Sequence, residues 1–170
     1  NPMFGAIAHV TFGNSAEVLA NWEKTKSAER AEKAQHSALD DIPESLPALM
    51  RAQKIQKRCS AVGFDWTSLG PVVDKVHEEI DEVMHEAQQA VIDEAKLEEE
   101  IGDLLFATVN LSRHLGAKAE TALQKANRKF ERRFRQVEAI IRAQGLEMEQ
   151  ASLDQMEAAW QTVKRQEVDS

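Results

Sequence analysis

The sequence predicts an all-α protein with a four-helix-bundle-like fold, and three observations carry that prediction. The composition is that of helices: 42% of the 170 residues are hydrophobic but only 5% are aromatic, with no Tyr, 7 Gly and 4 Pro. Apolar residues recur every three to four positions through most of the chain, and no stretch alternates as a strand does. Gly63, Gly116 and Gly145 stand where periodic stretches stop, as residues past a helix C-terminus do.

Residues 1–13 carry no usable periodicity and are expected to be a loose end. Asn14 and Glu17 form a capping-box pattern before a polar helix with a thin stripe of Val18, Leu19 and Trp22. Past Trp22 that helix has almost nothing apolar larger than Ala, so it reads as a linker helix. Residues 1–40 are thus expected to be a disordered start and linker helix, and 41–170 a single domain. Pro43 and Pro47 punctuate the next segment, and Ser45 is the expected N-cap of a helix bearing Leu49, Met50, Ile55, Cys59 and Val62.

The connection "FDWTSLGP" holds Phe64, Trp66 and Leu69, apolar enough to pack back on the core. Pro71 is expected to open a helix with Val72, Val73, Val76, Ile80, Val83, Met84 and Ala87 on one face. A second long helix starts near Asp93 and presents Leu97, Ile101, Leu104, Leu105, Thr108, Leu111 and Leu115. A third, from about Ala117, presents Leu123, Phe130, Phe134, Val137, Ile140 and Ile141. Ser152 with Gln155 forms a capping box before a last helix holding Leu153, Met156, Trp160 and Val163.

Charge and composition exclude several functions. A formal net charge of -8 opposes binding to a nucleic-acid backbone. No run of about 18 apolar residues offers a membrane span, and no leader pattern opens the chain, so a cytoplasmic protein is expected. The single Cys59 rules out an internal disulfide and a cysteine-based zinc site. The chain opens on Asn1 rather than Met, as a piece of a longer protein would.

The acids in "HEEIDEVMHEAQQAVIDEAKLEEEIGDLL" are not one undifferentiated run. At about 100° per residue, Glu79 and Glu82 border the apolar arc of their helix, with Lys75 one turn before, while Glu78 and Asp81 point outward. On the next helix Glu100 and Asp103 border the arc, with Lys96 one turn before, while Glu98 and Glu99 lie off it. A short connection makes the two helices antiparallel neighbours, so the pairs can face each other. Four converging carboxylates repel unless a cation joins them. All-oxygen ligation suits Mg²⁺ or Mn²⁺, which share their coordination with phosphates. A di-iron carboxylate site would want Glu-x-x-His on two helices; His85 follows Glu82 off the stripe, and Asp103 follows Glu100, so that pattern fails. His36 and His77 read as exposed, and His114 falls near the Asp103 stripe. Further on, Lys125, Lys129 and Arg133 line one flank beside Phe130 and Phe134, with Asn127 and Arg132 close by, supplying the positive charge that a polyphosphate needs.

Glu78-Glu79-Ile80-Asp81-Glu82 followed by Glu100-Ile101-Gly102-Asp103 resembles the EExxE and ExxD signature of the MazG-like, all-α nucleoside triphosphate pyrophosphohydrolases. The likeness runs from about Asp40 to "WQTVKRQEV" and is closest to the C-terminal domain of enterobacterial members that carry two such domains. The resemblance implies Mg²⁺-dependent hydrolysis of nucleoside triphosphates, ATP included and broad in base, to monophosphate and pyrophosphate. It implies a homodimer and a role in nucleotide-pool or alarmone turnover. By position it implies Glu79, Glu82, Glu100 and Asp103 as metal ligands, with Glu79 or Glu82 as general base. It also implies Lys75, Glu78, Lys96, Glu99, Lys129, Arg133 and Trp160 as nucleotide or phosphate contacts. The alternative is a non-catalytic helical dimerisation or docking module, since charged bundles commonly serve that purpose.

Overall fold

The computed structural model describes residues 15–32 and 36–169; the expected loose end at 1–13 and the Asn14 cap lie outside them. Among the described residues, six α-helices and one short 3₁₀ turn make up the regular structure, and there is no strand. The helices are α1 (Ser15–Glu32), α2 (Ala48–Ala61), α3 (Leu69–Ala87), α4 (Glu94–His114), α5 (Ala119–Ala143) and α6 (Leu153–Asp169). The chain divides into two compact units, Asn1–Glu120 and Thr121–Ser170.

Local signals explain most helix ends. Asp93 caps α4, its side chain accepting a hydrogen bond from the Lys96 N–H at 3.2 Å. Ser152 and Gln155 bond reciprocally through backbone N–H groups at 2.8 and 3.1 Å, the expected capping box ahead of α6. Gly63, Gly116 and Gly145 adopt φ of 93°, 82° and 79°, a left-handed conformation that costs glycine nothing.

Two starts differ from expectation. Ser45 makes no cap: α2 begins at Ala48, and Pro47, with φ -52° and ψ 142°, holds the cap position. Its ring presets φ, and its carbonyl accepts the first helical bond from Arg51 at 2.9 Å. Helix α3 begins at Leu69, so Pro71 sits third in the helix. First-turn N–H groups have no intrahelical acceptor, so a proline there costs no bond.

In the first unit α3 and α4 form the most extensive helix pair, joined by the short segment 88–93; α2 packs on α4 and α1 touches α2. Helix α1 leaves Val18 and Trp22 half exposed, consistent with so thin a stripe. In the second unit Val137 and Ile141 of α5 and Ala159 and Val163 of α6 form a buried cluster, with Ile140, Leu146, Met148 and Trp160 against it.

Candidate active site

Pairing α3 with α4 brings together acids that the string spreads over two turns of each helix. Oxygen atoms of Glu79, Glu100 and Asp103 all lie within 4.8 Å of one another. Glu79 is buried, Glu100 half-buried and Asp103 exposed, so the cluster runs from the helix interface outward. Glu79 Oε1 meets Lys75 Nζ at 3.4 Å, and the same ammonium holds Glu78 Oε1 at 3.2 Å. The Lys75 pKa is raised, first by its hydrogen bond to Glu78 and also by the one to Glu79. Glu79 Oε2 is buried with no hydrogen-bond partner.

The electrostatics point to the kind of partner these acids suit. The Glu100 carboxyl is held above its ordinary pKa by partial desolvation and then by repulsion from Asp103, Glu82, Glu79 and Glu99. One lysine does not balance that many acids. A buried carboxylate oxygen without a donor, on a side chain gathered with two other carboxylates, fits a divalent cation of hard, oxygen-preferring character. The donor set of this trio therefore suits such an ion.

Glu82 lies outside the 4.8 Å cluster and is exposed, close enough to push the Glu100 pKa up but not gathered with the three. Glu78, Lys96 and Glu99 are exposed on their helices. His114, which the spacing left near the acids, instead places Nε2 2.8 Å from Asp65 Oδ1.

In the second unit, α5 and α6 carry the other sequence-selected groups. The Arg133 guanidinium forks onto Glu167, with Nε 3.0 Å from both carboxylate oxygens and Nη2 2.7 Å from Oε1. The Glu167 carboxyl is thereby lowered, with Arg132 and Lys129 adding to the effect. Trp160 is half-buried, its ring centroid 5.3 Å from that of Phe130 and 5.7 Å from the Arg133 guanidinium carbon. Lys129 is exposed.

Beside the acidic trio a cleft of about 660 Å³ opens, and Lys75, Glu79 and Asp103 belong to its lining. The rest is mostly apolar, with Phe64, Trp66 and Phe106 among its walls. This corrects the expectation that "FDWTSLGP" packs on the core: Phe64 is 80% exposed, and Trp66 and Leu69 are about two-fifths exposed. A polar hub, not apolar burial, fastens the segment, because Asp65 between the two rings bonds Arg113 and His114. The aromatic pair in that segment was the available signal, but helical periodicity says nothing about a connection.

A model of the MazG nucleotide pyrophosphohydrolase domain matches residues 70–138, the stretch that holds the whole acidic cluster. The nucleoside triphosphate pyrophosphohydrolase of Escherichia coli K12 is 77% identical over 156 residues, covering 92% of this chain and 59% of that protein. Over residues 70–138 the chain is thus similar to the MazG nucleotide pyrophosphohydrolase domain. A Thermotoga maritima relative, the nucleoside triphosphate pyrophosphohydrolase/pyrophosphatase MazG, is 41% identical over 156 residues, again 92% of this chain and 59% of the relative. The uncharacterized Bacillus subtilis protein YabN is 41% identical over 151 residues, 89% of this chain and 30% of its own. This chain thus spans about three fifths of the length of the first two relatives.

Proposed function

We propose that this chain hydrolyses nucleoside triphosphates, ATP among them, to the monophosphate and pyrophosphate in a Mg²⁺-dependent reaction. The observation that carries the reading is the convergence of Glu79, Glu100 and Asp103 within 4.8 Å, with one buried Glu79 oxygen lacking any partner. The nucleoside triphosphate pyrophosphohydrolases of E. coli and T. maritima, to which the chain is similar, support it.

Glu79, Glu100 and Asp103 would hold the ion. When bound, Mg²⁺ neutralises phosphate oxygens and makes a neighbouring water more acidic. Lys75 has three donor hydrogens and two acidic neighbours, so it orients Glu78 and Glu79 while presenting positive charge to the cleft. Glu82, outside the trio and so not taken up in holding the ion, accepts the proton that an attacking water gives up. Attack at phosphorus breaks the α–β phosphoanhydride bond, and pyrophosphate leaves with that oxygen. Lys96, Lys129 and Arg133 act as phosphate contacts, Glu78 and Glu99 as ribose or phosphate contacts, and Trp160 as a further nucleotide contact. The same reading makes residues 41–170 one functional domain and pairs two copies of it in the cytoplasm, where it would trim nucleotide pools or alarmones.

Incubation with ATP and Mg²⁺ tests this by its products. AMP with pyrophosphate supports the reading; ADP with phosphate moves the cleavage to another bond; no product favours a docking module. Changing Glu100 or Asp103 to Ala should abolish Mg²⁺-dependent turnover while helicity by circular dichroism stays intact, and retained turnover would remove these residues from the site.

A further inference from the structure

The segment from Gly63 to Ser68 is held to α4 by a single carboxylate. Asp65 Oδ2 accepts from Arg113 Nη2 at 2.8 Å, and Asp65 Oδ1 pairs with His114 Nε2 at 2.8 Å. The Trp66 N–H donates to the same Oδ1 at 2.8 Å. Arg113 is itself braced by the buried Asn110, whose Oδ1 takes bonds from Nε at 3.2 Å and Nη2 at 2.8 Å. The three side chains of the clasp, Asp65, Arg113 and His114, are largely enclosed, with 12–17% of each exposed. An enclosed ion pair is a poor source of net stability, because desolvation consumes much of its attraction. What it does confer is direction, because a charge-assisted hydrogen bond is short and fixes the partners it joins.

The groups so directed are the two rings flanking Asp65. Phe64 and Trp66 line the cleft beside the acidic trio yet remain substantially exposed, so the fold gains little from burying them. Aromatic rings kept in place at an open apolar cleft, next to a site suited to a cation and phosphates, match a ligand with a flat heterocycle at one end and a polyphosphate at the other.

We propose that Asp65, clasped by Arg113 and His114, is a positioning residue that sets Phe64 and Trp66 as the wall receiving the base of a nucleotide whose phosphates sit at Glu79, Glu100 and Asp103. This rests on the pyrophosphohydrolase reading and adds to it where base affinity originates. The lowered pKa of Asp65, which remains so despite the opposing cost of burial because Arg113, His114 and Ser60 bond it, keeps the clasp charged at neutral pH.

The test compares binding of α,β-methylene ATP with binding of inorganic tripolyphosphate, each with Mg²⁺, by calorimetry on the whole chain. Asp65→Asn should weaken the nucleotide analogue about tenfold, the scale of one lost stacking contact, and leave tripolyphosphate unchanged. Phe64→Ala, at an exposed position that cannot unfold the protein by leaving a cavity, should reproduce that base-selective loss. Equal weakening of both ligands by Asp65→Asn, or no change in either variant, overturns the clasp as a positioning device. ATP turnover by the unaltered chain is read separately: if no pyrophosphate appears, the proposed reaction fails while the two affinities still decide the clasp.

Discussion

Glu100 shows how a single residue reports on its surroundings. Its raised pKa means that the charged form is resisted, by partial desolvation first and by four neighbouring acids after it. Without a divalent cation, Glu100→Gln should therefore raise the melting temperature, and it should also abolish the further rise that Mg²⁺ produces in the unaltered chain. Thermal denaturation with EDTA and with Mg²⁺ measures both. Asp65 has the opposite sign. Its folded pKa is lowered, so its contribution to stability is complete above the ordinary aspartate value, about pH 4, and is lost as pH falls through that value toward the lowered one. Melting curves from about pH 5 down to about pH 2 should show a flatter acid limb in Asp65→Asn.

At the scale of elements, the helices divide by how they are stabilised. Helix α1 is held weakly, touching α2 with an exposed Val18 and Trp22. In contrast α5 buries Val137 and Ile141 completely enough that the second unit depends on them. Ile141→Ala should cost roughly 2–5 kcal/mol, read as a lower denaturant midpoint for the second unit. Helix boundaries were legible at Asp93, at Ser152 with Gln155 and at the three positive-φ glycines, though not at Ser45. They were less legible at Pro47 and Pro71, because proline tolerates the cap and the whole first turn alike.

For the whole molecule the question is how many chains act together. Ile80 and Met84 on α3, and Ile101 and Leu105 on α4, are each two-fifths to one-half exposed. Such apolar pairs one turn apart on two adjoining helices favour the homodimer that the family resemblance implies. Sedimentation velocity should give a dimer for the unaltered chain and a monomer for Leu105→Glu. A monomer in both would remove the homodimer from the proposed function.

The sequence by itself determined the helical class, most of the caps and the acidic signature on two neighbouring helices. Those follow from spacing along one chain segment, and periodicity reads spacing directly. Only the tertiary structure decided that Glu79, Glu100 and Asp103 converge while Glu82 stays outside, and that one Glu79 oxygen is buried without a partner. Helical spacing gives the face a residue occupies but not how deeply the neighbouring helix covers it. The Asp65 clasp joins residues 48 and 49 positions apart through a connection that has no periodicity. Contacts of that kind arise when folding closes the chain, and a one-dimensional pattern does not contain them.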